Sequence, residues 1–581
     1  MIRVRKWLAA AAAVVMITGS LLQTGMAPGL LSGMTVYASG AERTTDTAEG
    51  ESAEQTADTA GNESADEAKD GTTVQLTENS EFQTALQSTA GDDTNEAAEA
   101  VPEVTLRISN WEEYIDLGDW DEEETIDLES GDIIGENSMI DDFEEWYYET
   151  YGITVNVEYS TFGTNEDLYN MLSLGDEFDL VCPSEYMVMK LMAEDMLVPL
   201  SDAFFDTADR NNYYSIGVSP YIQEIFDSHE INGESWSRYM AGYMWGVTGI
   251  VYNPEAVSEE DASSWAILSN PDYRRQITIK DNVRDSYFAA VGALKSELLT
   301  SEEFLSDPNY AQRLEEEMND VSDETIAAVE EYLTDVIDNA YSLESDSGKA
   351  DMITGKVVAN LQWSGDGVYT LDQAEEDGME LCFTVPEEST NIYFDGWVML
   401  KSGIGDDAAK QHAAEAFINY VSRPDNVVRN MYYVGYTSVI SGGEDTRIYE
   451  YAEWCYGAED EEEETAEYPL GYFFSGDSTD ENYIITAPAD QVNRQLAAQY
   501  PSEKTLDRAS IMVYFDSGTS EKINRMWIHV RCYDIRDVPV WIRVLAAAVA
   551  VVAVVLSVRR KIIVAGKEKK NSENSVRFRD V

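Results

Sequence analysis

At 581 residues, with 44% apolar and 11% aromatic side chains, the chain is too long for one domain and can bury more than one core. Its 111 acidic residues against 38 basic ones give a formal charge of -73, which excludes phosphate-neutralising contact with nucleic acid or an anionic lipid surface and suits a cationic ligand. Four scattered cysteines (Cys182, Cys382, Cys455, Cys532) and three histidines (His229, His412, His529) form no CxxC, HExxH or mixed cluster, so no disulfide scaffold, metal centre or other cofactor is expected.

Arg3, Arg5 and Lys6 precede an apolar run over 7–22, and Val36-Tyr37-Ala38 offers a small-residue cleavage site, so residues 1–38 read as a signal peptide and the protein as exported. Residues 39–103 are low-complexity, acidic and nearly free of aromatics. Such a segment cannot bury enough apolar surface to offset its ordering entropy, and a disordered linker is expected. The acidic stretch 116–132 lacks the glycine and final glutamate of a calcium loop and reads as a surface insertion.

From residue 104 onward the pattern is α/β. Val104, Leu106 and Ile108 alternate as in a strand; Ile140, Phe143, Trp146 and Tyr147 recur at helical spacing; Ile153, Val155, Val157 and Tyr159 alternate again. A helix through Leu168, Met171 and Leu172 closes at Gly175, and 178–182 forms a short apolar strand before Pro183-Ser184. These make a βαβ series. Later, Ala413, Ala416, Phe417, Tyr420 and Val421 share one face of a helix over 407–421, and Pro424 starts another that ends near Gly435. At the far end, 540–558 holds the run WIRVLAAAVAVVAVVLSV, apolar except for Arg543, followed by Arg559, Arg560 and Lys561. It reads as a transmembrane anchor with a basic cytoplasmic tail over 559–581, leaving the bulk of the protein on the extracellular face.

Loops after strand C-termini form the binding crevice of open α/β sheets. Trp111, Glu113 and Tyr114 follow the first strand, and Ser184 and Tyr186 follow the third. Indole, phenol and carboxylate groups together suit an alkylammonium, through ring faces and charge-assisted hydrogen bonds.

Ten segments in order, among them ISNWEEYID (108–116), FDLVCPSEYMVMKL (178–191), KDNVRDSYFAAVGAL (280–294), NLQWSGD (360–366), NIYFDGWVM (391–399) and the stretch ending VGYTS (434–438), carry a resemblance. The chain resembles the spermidine/putrescine-binding proteins of polyamine ABC transporters, over most of 104–531. The resemblance implies a two-lobed type II periplasmic-binding-protein fold with a hinge and an interlobe cleft. Its lobes would run over about 104–247 plus 395–440, and 248–394 plus 441–531, with 442–488 an enlarged insertion in the second. It also implies a site. Trp111, Glu113, Tyr114, Ser184 and Tyr186 would wall the cleft from the first lobe. Asp285 would receive a terminal amine, Trp363 would stack on the methylene chain, and Asp366 would supply a further carboxylate. Tyr393, where tryptophan is frequent, would line the cleft beside the central carboxylate Asp395, and Tyr436 would close it.

Asn282 stands where an aspartate is common and Glu112 where a small hydroxyl residue is usual, which leaves the length of the ligand open. For Asp285 and Asp395 the structural alternative is an ion pair with Arg284 or another arginine. The function expected is capture of spermidine or putrescine by a monomer that delivers it to membrane permease subunits. The same fold could serve a sensor or bind another cationic small molecule. A glycosidase-like pairing of Glu113 with Asp395 is the enzymatic rival, with no nucleophile elbow, P-loop or zinc motif beside it.

Overall fold

The computed structural model describes residues 102–120, 124–458 and 464–532. The alternation at Val104, Leu106 and Ile108 produces β1 (Glu103–Trp111), with those three side chains buried. β2 (Thr154–Phe162) runs parallel to it, Thr154 opposite Glu103 and Phe162 opposite Trp111. Between them α1 (Met139–Tyr151) begins where the Ser138 hydroxyl accepts the Asp141 N–H, buries Met139, Phe143 and Tyr147, and ends at Gly152 with φ 70°. α2 (Asn165–Leu174) is capped by Thr164 and ends at Gly175, where sequence spacing placed its end. β3 is only Leu180–Val181, shorter than the run 178–182, and α3 (Glu185–Ala193) starts directly from Ser184.

β4 (Met240–Tyr252), β5 (Ile277–Lys280), β6 (Ser342–Glu344), β7 (Ala359–Trp363) and β8 (Thr390–Leu400) complete the main path of a 12-stranded sheet, in the order β2-β1-β3-β8-β4-β7-β5-β6. Every residue of β4 and β8 is buried. Covered on both faces, these strands show no polar–apolar alternation, and β8 buries the polar Thr390, Asn391 and Asp395 within an otherwise apolar run. β4 pairs antiparallel with β8 through its first half and with β7 and 382–384 through its second. The end of β8 pairs with β3 and 197–198. The two long strands therefore belong at one end to the β2-β1-β3 wing and at the other to the β7-β5-β6 wing. That is the mixed α/β, two-lobed architecture expected from the sequence.

Helices clothe both wings. α4 (Val283–Leu294) and α5 (Asp323–Asn339) pack together beside β5, α6 (Ser364–Glu376) follows β7, and α7 (Ala408–Val421) lies on β1 and α1. α8 (Pro424–Val434) has proline in its first turn and ends at Gly435 with φ 78°. The stretch 442–488 contributes α9 (Arg447–Tyr456), which packs on α8, and a short helix, Gly471–Phe474, which packs on the helix Pro220–Ser228.

The acidic insertion is pinned at its root. Asp116 is fully buried and accepts from the Arg429 guanidinium of α8, from Trp120 Nε1 at 3.0 Å and from the Gly118 N–H at 2.8 Å. Arg429 also reaches Asp142 at 2.7 Å.

One expectation is corrected. Among the described residues no helix is long and apolar enough to cross a membrane, which overturns the fold and location built on a C-terminal transmembrane anchor. The last described helix, α10 (Ser517–Arg531), has 15 residues and spans about 22 Å at 1.5 Å per residue, short of a hydrocarbon core of about 30 Å. It carries Glu521, Lys522, Arg525 and Arg531 and lays Ile523, Met526, Trp527 and Val530 inward, packing against α5 as an ordinary amphipathic helix. The run at 540–558 and its basic tail, the signal segment 1–38 and nearly all of the linker 39–103 lie outside the described residues.

Candidate functional site

β8 carries Asp395 into the crevice between the wings. The β4–β8 register shifts between Asp395 and Gly396, and the Gly396 N–H reaches across to the Pro183 carbonyl at 3.1 Å. An irregularity of this kind re-aims a side chain. Here it sets Asp395 beside the end of β3, where Ser184 bridges to it. The carboxylate accepts from Tyr114 OH at 2.9 Å on Oδ2 and from Ser184 Oγ at 2.7 Å on Oδ1. Asn165 buttresses this end, with its Nδ2 donating to Ser184 Oγ at 3.0 Å and to Tyr186 OH at 2.9 Å.

Aromatic rings close over the carboxylate. Tyr114 meets Tyr436 edge-on at 5.0 Å, and Tyr436 meets Tyr393 at 6.4 Å. Two glycines make this approach possible. A Cβ on Gly246 would collide with Ser364 Oγ and the Tyr393 hydroxyl, and one on Gly365 would enter the Tyr436 ring. Tyr114, Tyr393 and Tyr436 are all raised by burial, so they stay neutral donors.

Asp285, in the first turn of α4, forms the second half of the site. It is buried and accepts from Trp363 Nε1 at 3.2 Å. Burial pushes both aspartates up, Asp285 to about 6 and Asp395 to about 6, against the hydrogen bonds that hold their charged forms. Among the described residues neither is in an ion pair with Lys or Arg, although the charges of Lys280 and Arg284 favour the ionised form of Asp285 from farther off. Arg284 instead donates to the Val513 carbonyl at 2.5 Å and lies over the rings of Phe515 and Tyr186, at 3.7 and 4.5 Å.

Asp366 has a different environment. Lys349 Nζ lies 3.4 Å from one of its oxygens and Lys280 Nζ 3.5 Å from the other. Trp111 is half-buried, with its ring 4.8 Å from Phe162, and Glu113 is exposed in a left-handed turn at φ 54°. Neither is linked to Asp395 or Trp363 by a hydrogen bond or ring contact. The structure thus gathers Tyr114, Ser184, Tyr393 and Tyr436 around Asp395, links Tyr186 to them only through Asn165, places Asp285 with Trp363, and leaves Trp111 and Glu113 apart.

Two residues escaped sequence reasoning. Glu185, between Ser184 and Tyr186, is buried and accepts the Phe394 N–H at 3.1 Å, and its Oε1 has no partner. Burial, with Asp395 nearby, pushes it up to about 8, so it stands protonated at neutral pH. Lys280 is also fully buried. Its signal was a lysine ending the apolar strand ITIK and opening the segment 280–294 already singled out.

Two α/β wings joined by shared strands, with a buried polar cluster in the crevice, define a binding protein that encloses a small solute. The chain belongs to the family described as bacterial extracellular solute-binding protein, which it matches over residues 138–451. It is 24% identical over 331 residues to the spermidine/putrescine-binding periplasmic protein of Salmonella typhimurium, covering 57% of this chain and 76% of that one. It is 24% identical over 348 residues to the putrescine-binding periplasmic protein PotF of Escherichia coli, covering 58% and 79%. A solved structure described as a putative spermidine/putrescine ABC transporter from Listeria monocytogenes superposes with a TM-score of 0.49 at 20% identity, covering 74% of this chain and 99% of that one.

Proposed function

We propose that this protein captures a polyamine of the putrescine or spermidine class between its lobes, without chemical turnover, and hands it to the permease of an ABC importer. The observation that carries the reading is Asp395, a buried carboxylate held by two neutral hydroxyls, with no cation paired to it among the described residues and three tyrosine rings around it. An unpaired buried charge costs several kcal/mol unless a counter-charge arrives, and an alkylammonium supplies one. Asp285 is a second buried carboxylate outside any ion pair among the described residues, partly balanced by Lys280 and Arg284, with the Trp363 indole beside it for methylene packing at about 0.8 kcal/mol per CH2. The names of the relatives at 24% identity support the same ligand class.

The rings pack closely over Asp395, so the ligand enters with the lobes apart and is enclosed as they close about β4 and β8. In this reading the lobes are about 104–247 plus 395–440, and 248–394 plus 441–531. Calorimetric titration of the purified full-length protein with putrescine, spermidine and spermine tests it. Saturable binding of at least one amine, abolished by Asp395→Ala, is expected. Absence of binding to all three amines, in a protein with a cooperative melt, sinks the assignment.

A further inference from the structure

We propose that Lys280 is a built-in ammonium that occupies the second-lobe amine position and makes this site select a diamine over a longer triamine. The inference rests on the polyamine reading above and names the member of that class.

Lys280 ends β5 at the crevice and is fully buried. Its Nζ lies 4.1 Å from the centroid of the Trp363 ring, 3.3 Å from Glu344 Oε1, 3.5 Å from Asp366 Oδ2 and 3.4 Å from the Ser345 carbonyl. An indole face, two carboxylates and a carbonyl are the contacts a ligand's own ammonium group would seek. Lys349 adds a second cation, 3.4 Å from Asp366 Oδ1 and 2.8 Å from Asp346, and its ammonium is stabilised by Asp366 despite burial.

Charge counting then sets the ligand. The buried Glu344 and Asp366 are met by Lys280 and Lys349, two against two, with Lys349 also reaching the exposed Asp346, while among the described residues Asp395 and Asp285 are in no ion pair, Asp285 feeling Lys280 and Arg284 only at longer range. Two carboxylates are open, which matches two ammonium groups. A third ammonium directed at Asp366 would meet a neutralised carboxylate and a fixed positive charge, with its desolvation uncompensated. One face of the Trp363 indole is likewise covered by Lys280, leaving less ring for a longer methylene chain.

The test compares putrescine and spermidine by calorimetry on the full-length wild type and on Lys280→Met, which keeps the length of the side chain and removes its charge. The wild type is expected to bind putrescine at least about tenfold more tightly than spermidine. In Lys280→Met the ratio should move at least about tenfold towards spermidine, because Lys349 alone then faces Glu344 and Asp366 and one carboxylate charge is left for a third ammonium. Should Lys280→Met fail to fold with Glu344 left unpaired, Lys280→Gln, which removes the charge but keeps a hydrogen-bond donor for Glu344, is read the same way. Wild-type preference for spermidine, or an unchanged ratio in a folded variant, overturns the proposal while leaving polyamine capture standing. Binding of no amine by the wild type overturns both.

Discussion

Asp395 and Asp366 are both buried aspartates in one crevice, and their surroundings are opposite. Asp395 is met by a phenol and a serine hydroxyl, Asp366 by two lysine ammonium groups besides the Tyr436 phenol. Hydroxyls stabilise a carboxylate without neutralising it, so the Asp395 side keeps a net attraction for a cation. Lysines cancel the charge, so the Asp366 side holds the protein together. A carboxylate in a cleft is therefore evidence of a cation site only after its partners have been counted.

The largest expected effect breaks the comparison at Asp395. Asp395→Asn should weaken putrescine binding roughly 100-fold or more, since it removes one partner of a buried charge pair. It should also raise the melting temperature of the ligand-free protein, because an uncompensated buried charge is gone. Calorimetry and a melt on the same sample check both; a fall in both would make Asp395 an ordinary structural residue.

The pH dependence follows from the same charges. Asp395 and Asp285 are raised to about 6 in the folded protein, so their contribution to its stability is full below the ordinary aspartate value near 3.8 and is lost as pH rises through 6. Ligand binding runs the other way. Below pH 6 the carboxyls must shed protons to hold ammonium groups, and affinity should fall by about tenfold per pH unit for each carboxylate, with a plateau above. A flat affinity profile between pH 4.5 and 7.5 would contradict this.

Asp366→Asn should show the opposite balance. Removing the shared partner of Lys280 and Lys349 is expected to destabilise the fold by about 3 kcal/mol, while putrescine affinity stays within about threefold. A folded variant with a much larger loss of affinity would place Asp366 with Asp395. Tyr114→Phe deletes one donor to Asp395, and a loss of about 1 kcal/mol in binding is expected, with the pH plateau moved upward. Glu113→Ala should change affinity by less than about twofold, the exposed carboxylate being far better solvated.

Local rules read directly from the chain. α1, α2, α7 and α8 start at Ser138, Thr164, Asp407 and Pro424, and α1, α2 and α8 stop at glycines in the left-handed region, because capping hydroxyls, proline and glycine act within a few residues. β1 and β2 were visible through alternation. The segments that gather the site were visible too, since each sits at a strand end or helix start.

Which of those residues meet was a different matter. Tyr114 and Asp395 are 281 positions apart, Ser184 and Asp395 211, and only the β4–β8 crossover and its register shift bring them to hydrogen-bonding distance. The buried pairing of Asp116 with Arg429 across 313 positions was likewise invisible, so a stretch that read as surface acid turned out to be anchored at its root. The sequence determined elements, composition and a cationic ligand class, because helix caps, strand patterns and net charge are short-range or summed properties. The tertiary structure alone decided which carboxylates remain without a counter-charge, because that depends on the partners each one meets across the fold.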